Sequence, residues 1–412
     1  MTTTTAHPAA ATPADPGDGS VTSARLRQIV DEMNARFRER GTVIRAIIAA
    51  MLARQHSLLI GPPGSAKSEL ARDLTDRIDG ATQWETQLNA FTAPTQMFGP
   101  IDVAALVKGR YEQVWDGRAT RADIAFIDEI FKCGPGALDA LLAFLNERLY
   151  HPESGGQPIS CPLISAITAS NELPRAGESA AVYDRLLVRV EVGYLDDPTN
   201  FAWLLRQGAA PAGPRTRILL SDLVAAVNTH VPAVGIPDQV VDGMVTLRSA
   251  LRHAGVVASD RRWRQSVRLL QACAWLDGRD QISVNDLDIL SHVLWTDPAE
   301  RRTVEKEVLE VVNPDASKAL DILDGVEGMN AELDALKGTN TEDLAKWAAE
   351  ASQKLAKAAK ELQGLAAKSK AEGRSTAAVD DTLDRVRQIQ ARVMVDALGV
   401  DASVAKSMIQ MS

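Results

Sequence analysis

Apolar residues follow two rhythms along this chain. From Val21 they recur at helical spacing, and a second helical stretch, VIRAIIAAMLARQ (43 to 55), leads into SLLI (57 to 60), a short apolar run that predicts a buried strand. A glycine turn follows, then the helical SELARDLTDRI (68 to 78). Further on, ADIAFIDEI (122 to 130) predicts a strand, ALDALLAFLNERL (137 to 149) a helix and CPLISAITASNE (161 to 172) another interior strand. Apolar strands alternating with helices predict an α/β domain, a parallel sheet covered on both faces. Within residues 91 to 120, Gly109, Asp116 and Gly117 mark turns around a short strand, so an inserted hairpin is expected there.

The proline-rich QGAAPAGPRTR (207 to 217) separates this domain from a region of purely helical periodicity that runs to about Trp295. Beyond Pro298, Leu344, Ala348, Ala351, Leu355, Ala358, Leu362 and Leu365 step by fours and threes, as a coiled-coil seam does. Val379, Leu383, Val386, Ile389 and Val393 offer a partner stripe, and AEGRST (371 to 376) would join the two as a helical hairpin. The first twenty residues, rich in Thr, Ala, Pro and Gly, are expected to be a disordered tail. The expected domains are therefore 1–20, 21–206, 207–298 and 299–412.

Composition narrows the function classes. The formal net charge of -9 disfavours a nucleic-acid partner held by a broad basic surface, and no apolar run is long enough to insert in a membrane. Cys133, Cys161 and Cys273 lie far apart without a C-x-x-C pair, so neither zinc nor a disulfide framework is expected, and a reducing cytoplasmic location fits.

The candidate chemistry starts at GPPGSAKS, Gly61, Pro62, Pro63, Gly64, Ser65, Ala66, Lys67 and Ser68, followed by Glu69. Strand, glycine turn and helix in that order suit a loop whose backbone N–H groups face a phosphate. Lys67 would reach the β and γ phosphates of ATP or ADP and Ser68 would place its hydroxyl on Mg2+. Ala66 stands where the motif has its second glycine, and an alanine of negative φ is expected to be tolerated there. Ile124 to Ile127 deliver Asp128, placed to hold Mg2+, and Glu129, placed to polarise the attacking water. Asn171 ends the next strand and could reach between water and γ phosphate. In a ring, Arg185 could project into the next subunit's site, while Arg261 is positioned to close over the phosphates, with Arg262 and Arg264 as rivals.

Together GPPGSAKS, FTAPTQMFGPIDVAAL, KGRYEQVWDG, FIDEIFKCGPGALDALLAFLNER, ASNELP, YDRLLVRV and DRRWRQSVRLLQACAWLDGR, spanning about residues 25 to 300, resemble the MoxR family of AAA+ ATPases and most closely its RavA branch. The resemblance implies a P-loop core with a helix-2 insert hairpin at residues 91 to 120, then an all-α lid. It assigns Lys67 and Ser68 to Walker A, Asp128 and Glu129 to Walker B, Asn171 to sensor 1, Arg185 to the arginine finger and Arg261 to sensor 2. It also implies a homo-oligomeric ring, a hexamer, that hydrolyses ATP to remodel or mature protein clients with a von Willebrand factor A domain partner. Other uses of the same ATPase clade are a nucleic-acid translocase, a metal-chelatase motor subunit, or a nucleotide-gated scaffold with little turnover.

Overall fold

The computed structural model describes residues 18–152, 155, 157–173, 180–207, 215–336, 341–371 and 376–401. The expected tail lies outside the described residues up to residue 17, and helix begins at Gly19. Residues 208–214 of the proline-rich joint and 372–375 of the expected break also lie outside them. The chain forms two compact units, one running through Val241 and resuming over Val257–Thr296, the other comprising Asp242–Val256 and the chain from Asp297 onward. No helix among the described residues is long and apolar enough to cross a membrane.

The first unit is organised by a five-stranded sheet. Its strands are β1 (Ser57–Ile60), β2 (Gln83–Gln87), β3 (Ile124–Asp128), β4 (Ser165–Ser170) and β5 (Val188–Glu191), in the spatial order β2, β3, β4, β1, β5. All pairings are parallel, and Ser57 at the start of β1 pairs with Ile167 on one side and Val188 on the other. β1 and β4 are buried at every residue, so β1 reads as an apolar run, while β4 mixes Ala and Ile with the small hydroxyl residues Ser165, Thr168 and Ser170. The edge strand β2 alternates instead, burying Trp84 between exposed Gln83 and Glu85. From β1 the chain crosses to the far edge, returns through β3 and β4, and places β5 on β1's other side. That reversal opens a crevice at the carboxyl ends of β1 and β4, where ligands of such sheets bind.

The helices of this unit include α1 (Gly19–Arg36), α2 (Gly41–Leu52), α3 (Lys67–Thr75), α4 (Pro135–Glu147) and α5 (Asp260–Leu276). α1 presents Leu26, Ile29 and Met33, a stripe at helical spacing. α2 is buried almost all round because it lies between β5 and β4 on one side and α1 and α5 on the other. Its one charged residue, Arg45, grips Asp277 with two hydrogen bonds of 2.8 Å. α2 ends at Leu52 where the expected helix ran to residue 55, and Arg54 there takes a left-handed φ of 55°.

The insert after β2 has its turns where expected, with Gly109 and Gly117 at φ 74° and 69°, but its hairpin is reduced. One antiparallel bridge, Ile101 to Gln113, closes around a short helix, Val103–Val107, capped by Asp102. Its base is anchored by rings: Phe98 stacks on Tyr150 at 4.6 Å and meets Phe144 edge-on. Gly99, at φ 141°, passes so close to the Val114 carbonyl and the Trp115 ring that a Cβ would clash. The region expected to be all-helical from residue 207 also contains a two-residue strand, Ile218–Leu219, paired with Ile78–Asp79.

In the second unit α7 (Thr341–Ala371) and α8 (Ala377–Leu398) bury the two predicted stripes against each other, Leu355 and Leu362 against Val386 and Val393. The expected hairpin gains a third helix, α6 (Pro314–Leu336), which adds Val326, Met329 and Leu333 to the same core. Asp315, wholly buried, accepts from Lys368 and Ser369 at 3.0 Å each and ties α6 to α7.

At the amino end of β1, buried His56 joins three elements. One ring nitrogen bonds the Leu145 carbonyl of α4 at 2.7 Å and the other accepts from the Ala166 N–H of β4 at 2.9 Å, a pairing that needs the neutral imidazole. Burial, reinforced by Arg148, pulls its pKa down to about 4. Below pH 6.5 the unfolded chain takes up a proton that the folded imidazole refuses until about pH 4. This group therefore removes up to about 3 kcal/mol of stability as pH falls through that window. Urea unfolding of wild type and His56→Gln at several pH values should show their difference in stability narrowing between pH 7 and 4; parallel pH curves would rule this out.

Candidate active site

β1 ends at Ile60, and the chain turns through residues 61 to 66 before α3 starts at Lys67. Gly61 is fixed by packing, since a Cβ would stand 2.1 Å from the Val192 carbonyl oxygen just past β5. Gly64 turns with φ 79° into open space, and Ser65 Oγ closes the loop on the Pro62 carbonyl at 2.9 Å. Ala66 corrects the expectation made for it: its φ is 66° and ψ 20°, not negative. The position needs glycine's conformation and takes it with a side chain attached, at a cost of about 1–3 kcal/mol. α3 holds it there, because the Ala66 carbonyl accepts the Leu70 N–H at 3.0 Å.

Lys67, only 6% exposed, spreads its ammonium over four acceptors. It donates to the carbonyls of Gly61 (2.7 Å) and Pro62 (2.8 Å), to Asn171 Oδ1 (2.9 Å) and, more weakly, to Ser65 Oγ (3.4 Å). Burial pulls its pKa below the usual lysine value, while Asp128 and Glu129 push it back up. Asn171, just past the end of β4, faces both ways, since its Nδ2 donates to Glu129 Oε1 at 2.5 Å. Ser68 Oγ stands 3.5 Å from Asp128 Oδ2.

Glu129 follows the last residue of β3 in a left-handed conformation, φ 54° and ψ 43°. Its N–H donates to Asp128 Oδ1 at 2.9 Å and its carbonyl accepts from Lys132 at 2.9 Å, closing the 3-10 turn Ile130–Lys132. Oε1 takes both Asn171 and the Lys132 ammonium, the latter at 3.0 Å. Oε2 is buried and has no hydrogen-bond partner. A carboxylate held by one oxygen with the other idle and enclosed is an arrangement suited to accepting a hydrogen bond from a water molecule.

Lys67, Ser68, Asp128, Glu129 and Asn171 thus come together, drawn from the ends of three adjacent strands. Glu69 does not join them; its carboxylate turns to Arg36 at 2.7 Å, so its part in the loop is limited to its backbone. Two neighbours escaped the sequence reading. Lys132 carries a signal, a cation three residues past Glu129 on a tight turn, whereas Tyr194, whose hydroxyl donates to the Pro63 carbonyl at 3.2 Å, belongs to no motif. For Mg2+ the fit is the sparse one this ion uses, a hydroxyl and a carboxylate with phosphates and waters completing the shell. Among the described residues there is no cluster of three or more His, Cys, Asp or Glu side chains that would favour a metal held by protein alone.

Arg185 and Arg261 form a second group. Arg185 ends the helix Ala180–Arg185, donates from Nη1 to Asp184 at 2.9 Å and has a buried Nε without a hydrogen-bond partner. Arg261, on the first turn of α5, donates to Asn146 of α4 at 2.7 Å; burial first, then the nearby Arg185 guanidinium, pull its pKa below the usual arginine value. Arg262 is buried and committed to Asp184, Thr296 and the Trp295 carbonyl, while Arg264 is exposed. Among the described residues no hydrogen bond or ion pair joins Arg185 or Arg261 to the Lys67 group.

Residues 24–219 match the family model described as the MoxR domain in the MoxR-vWA-beta-propeller ternary systems, and residues 239–308 match an AAA lid domain. Two uncharacterized proteins of Methanocaldococcus jannaschii, MJ0812 and MJ0079, are 35% and 33% identical over 75% of this chain and about four-fifths of their own length (81% and 80%). A solved structure from Cytophaga hutchinsonii, described as a candidate ATPase, superimposes with a TM-score of 0.57 at 18% identity, covering 72% of this chain and 96% of that one; the likeness is one of fold.

The left-handed Ala66 generates a test. Ala66→Gly should leave nucleotide affinity and turnover within ~10-fold of wild type and keep stability level or raise it by about 1 kcal/mol, as relief of strain competes with the freer unfolded chain. Denaturant unfolding and nucleotide titration measure both, and a clear loss of stability in the glycine variant would mean that the alanine is not strained.

Proposed function

The chain belongs to the MoxR family of AAA+ ATPases, and from that premise we propose that it hydrolyses ATP with Mg2+ as a homo-oligomeric ring, a hexamer, whose neighbouring subunits complete each site. The observation that carries this reading is the carboxylate of Glu129, fixed at Oε1 and unpartnered at Oε2, one amide away from the ammonium of Lys67. The loop N–H groups and the amino end of α3 receive the phosphates. Lys67 exchanges its loop carbonyls for phosphate oxygens, and Ser68 and Asp128 would hold Mg2+, which would supply charge neutralisation to the phosphates. Glu129 accepts a hydrogen bond from the attacking water at Oε2, and Asn171 keeps that carboxylate in register with Lys67. Arg185 of one subunit neutralises charge on the phosphoryl group of the next, with Arg261 beside it.

The energy drives remodelling or maturation of protein clients in the cytoplasm, with a von Willebrand factor A domain protein as partner. The partner is supported by the description of the matching family model, and closeness to the RavA branch by the strings at residues 126 to 148 and 260 to 279.

Lys67→Ala should abolish ATP binding, whereas Glu129→Gln should bind normally and lose ~100-fold or more in turnover, because the lysine meets phosphate in the ground state and the glutamate acts on water during hydrolysis. Equal affinity in wild type and Lys67→Ala would sink the site. Specific activity should rise with protein concentration as rings form, and Arg185→Ala should cost ~1000-fold. A species that remains monomeric with ATP by light scattering, yet hydrolyses at a concentration-independent rate, would rule out the shared site.

A further inference from the structure

An aspartate beside an arginine on a protein surface is ordinarily worth little, because both side chains are free and water screens them. Asp184 is different in what stands behind it. Its Oδ2 accepts from Arg185 Nη1 at 2.9 Å, and its Oδ1 accepts from Arg262 Nη2 at 3.1 Å. Arg262 has a side chain only 4% exposed, and its other terminal nitrogen is bonded to Thr296 Oγ1 at 2.9 Å and the Trp295 carbonyl at 3.3 Å. The same short segment is gripped again: Tyr183 Oη donates to the Thr296 carbonyl at 3.0 Å, and the fully buried Arg189 donates to the carbonyls of Trp295 and Tyr183 while lying over the Tyr183 ring. Asp184 thus ties a partly exposed guanidinium to a buried and anchored one.

We propose that Asp184, braced by Arg262, is a positioning residue for Arg185. This rests on the reading of Arg185 as the group offered to a neighbouring subunit's phosphates. The physical case has two parts. Arg185 and Arg261 stand close enough for one guanidinium to depress the pKa of the other, and Arg262 adds a third cation; the Asp184 carboxylate is the anion that lets Arg185 stay beside them. It also takes Arg185 by one terminal nitrogen, so the guanidinium is oriented through a single hydrogen bond at one corner. A planar fork fixed at one corner loses less freedom when it meets phosphate oxygens than a free side chain would.

The test is a double-mutant cycle on the full chain, at protein concentrations where wild-type assembly is complete. Asp184 is 37% exposed on its side chain, so Asn replaces it without a packing change, and Asp184→Glu serves as the conservative second variant. Asp184→Asn should keep ATP affinity and oligomeric state near wild type and lower kcat by ~10-fold or more, with Asp184→Glu recovering part of the loss. In the Arg185→Ala background the same Asp184→Asn change should alter kcat by less than ~2-fold, since a residue acting through Arg185 has nothing left to act on. If Arg185→Ala is crippled while Asp184→Asn turns over like wild type, or if the two losses multiply in the double variant, the positioning role falls and the role of Arg185 stands. If Arg185→Ala itself turns over normally, the reading of Arg185 falls and takes this inference with it.

Discussion

The site is organised by one requirement, that the Lys67 ammonium be buried while remaining charged. An unpaired ammonium away from water is so unfavourable that it would lose its proton, so the surroundings must supply acceptors and negative potential. Two loop carbonyls, the Asn171 amide oxygen and the nearby Asp128 and Glu129 carboxylates supply them. The carbonyls belong to the lysine's own loop, whereas Asn171 and the two carboxylates come from distant parts of the sequence and become neighbours through the parallel sheet. With β1 set between β4 and β5 and β3 beyond β4, the ends of β1, β3 and β4 open on one side, and the lysine's partners converge there. The buried apolar strands are thus what allow a charge to be buried.

Two of the strained backbone positions lie at the same edge. Ala66 and Glu129 are both non-glycine residues in the left-handed region, one directly before α3 and the other directly after β3. Each conformation is held by bonds that another geometry would forfeit, the first turn of α3 for Ala66 and the Asp128 carboxylate with the 3-10 turn for Glu129. For Glu129 the result is a side chain turned back from the strand end toward Asn171. An extended backbone at residue 129 would send the carboxylate elsewhere, so the strain has a chemical consequence at this position.

Much of this was legible in the sequence, and what was not has identifiable causes. Strands buried on both faces announce themselves as apolar runs, which is why SLLI and IAFI were readable and why the carboxylates at 128 and 129 could be placed at a sheet edge. The chain beyond Pro298 reads as helical and the heptad-like stripes at 344–365 and 379–393 were readable from their spacing, but that α6 joins the same core shows only in three dimensions. The φ of Ala66 was misjudged because alanine's own preference was weighed without the demand of the loop closing onto a helix. Lys132 and Tyr194 were missed because their roles depend on a turn and on the segment after β5, neither of which has a compositional mark.

The arginines show how a local pattern changes meaning with its setting. In the sequence Asp184 and Arg185 are an adjacent pair like many on protein surfaces, and Arg261, Arg262 and Arg264 are interchangeable members of a basic helix start. Folding separates them: Arg262 turns inward to Thr296 and Asp184, Arg264 turns to solvent, and Arg261 lies beside Arg185. On the proposed reading the catalytic groups form two sets, acceptors and carboxylates around Lys67 and guanidinium groups around Asp184, with no hydrogen bond or ion pair joining them among the described residues. A phosphoryl transfer site needs both kinds of group at the same phosphate. In the proposed ring a second copy would unite them, set so that the arginines of one meet the lysine of the next, a contact repeated until the ring closes.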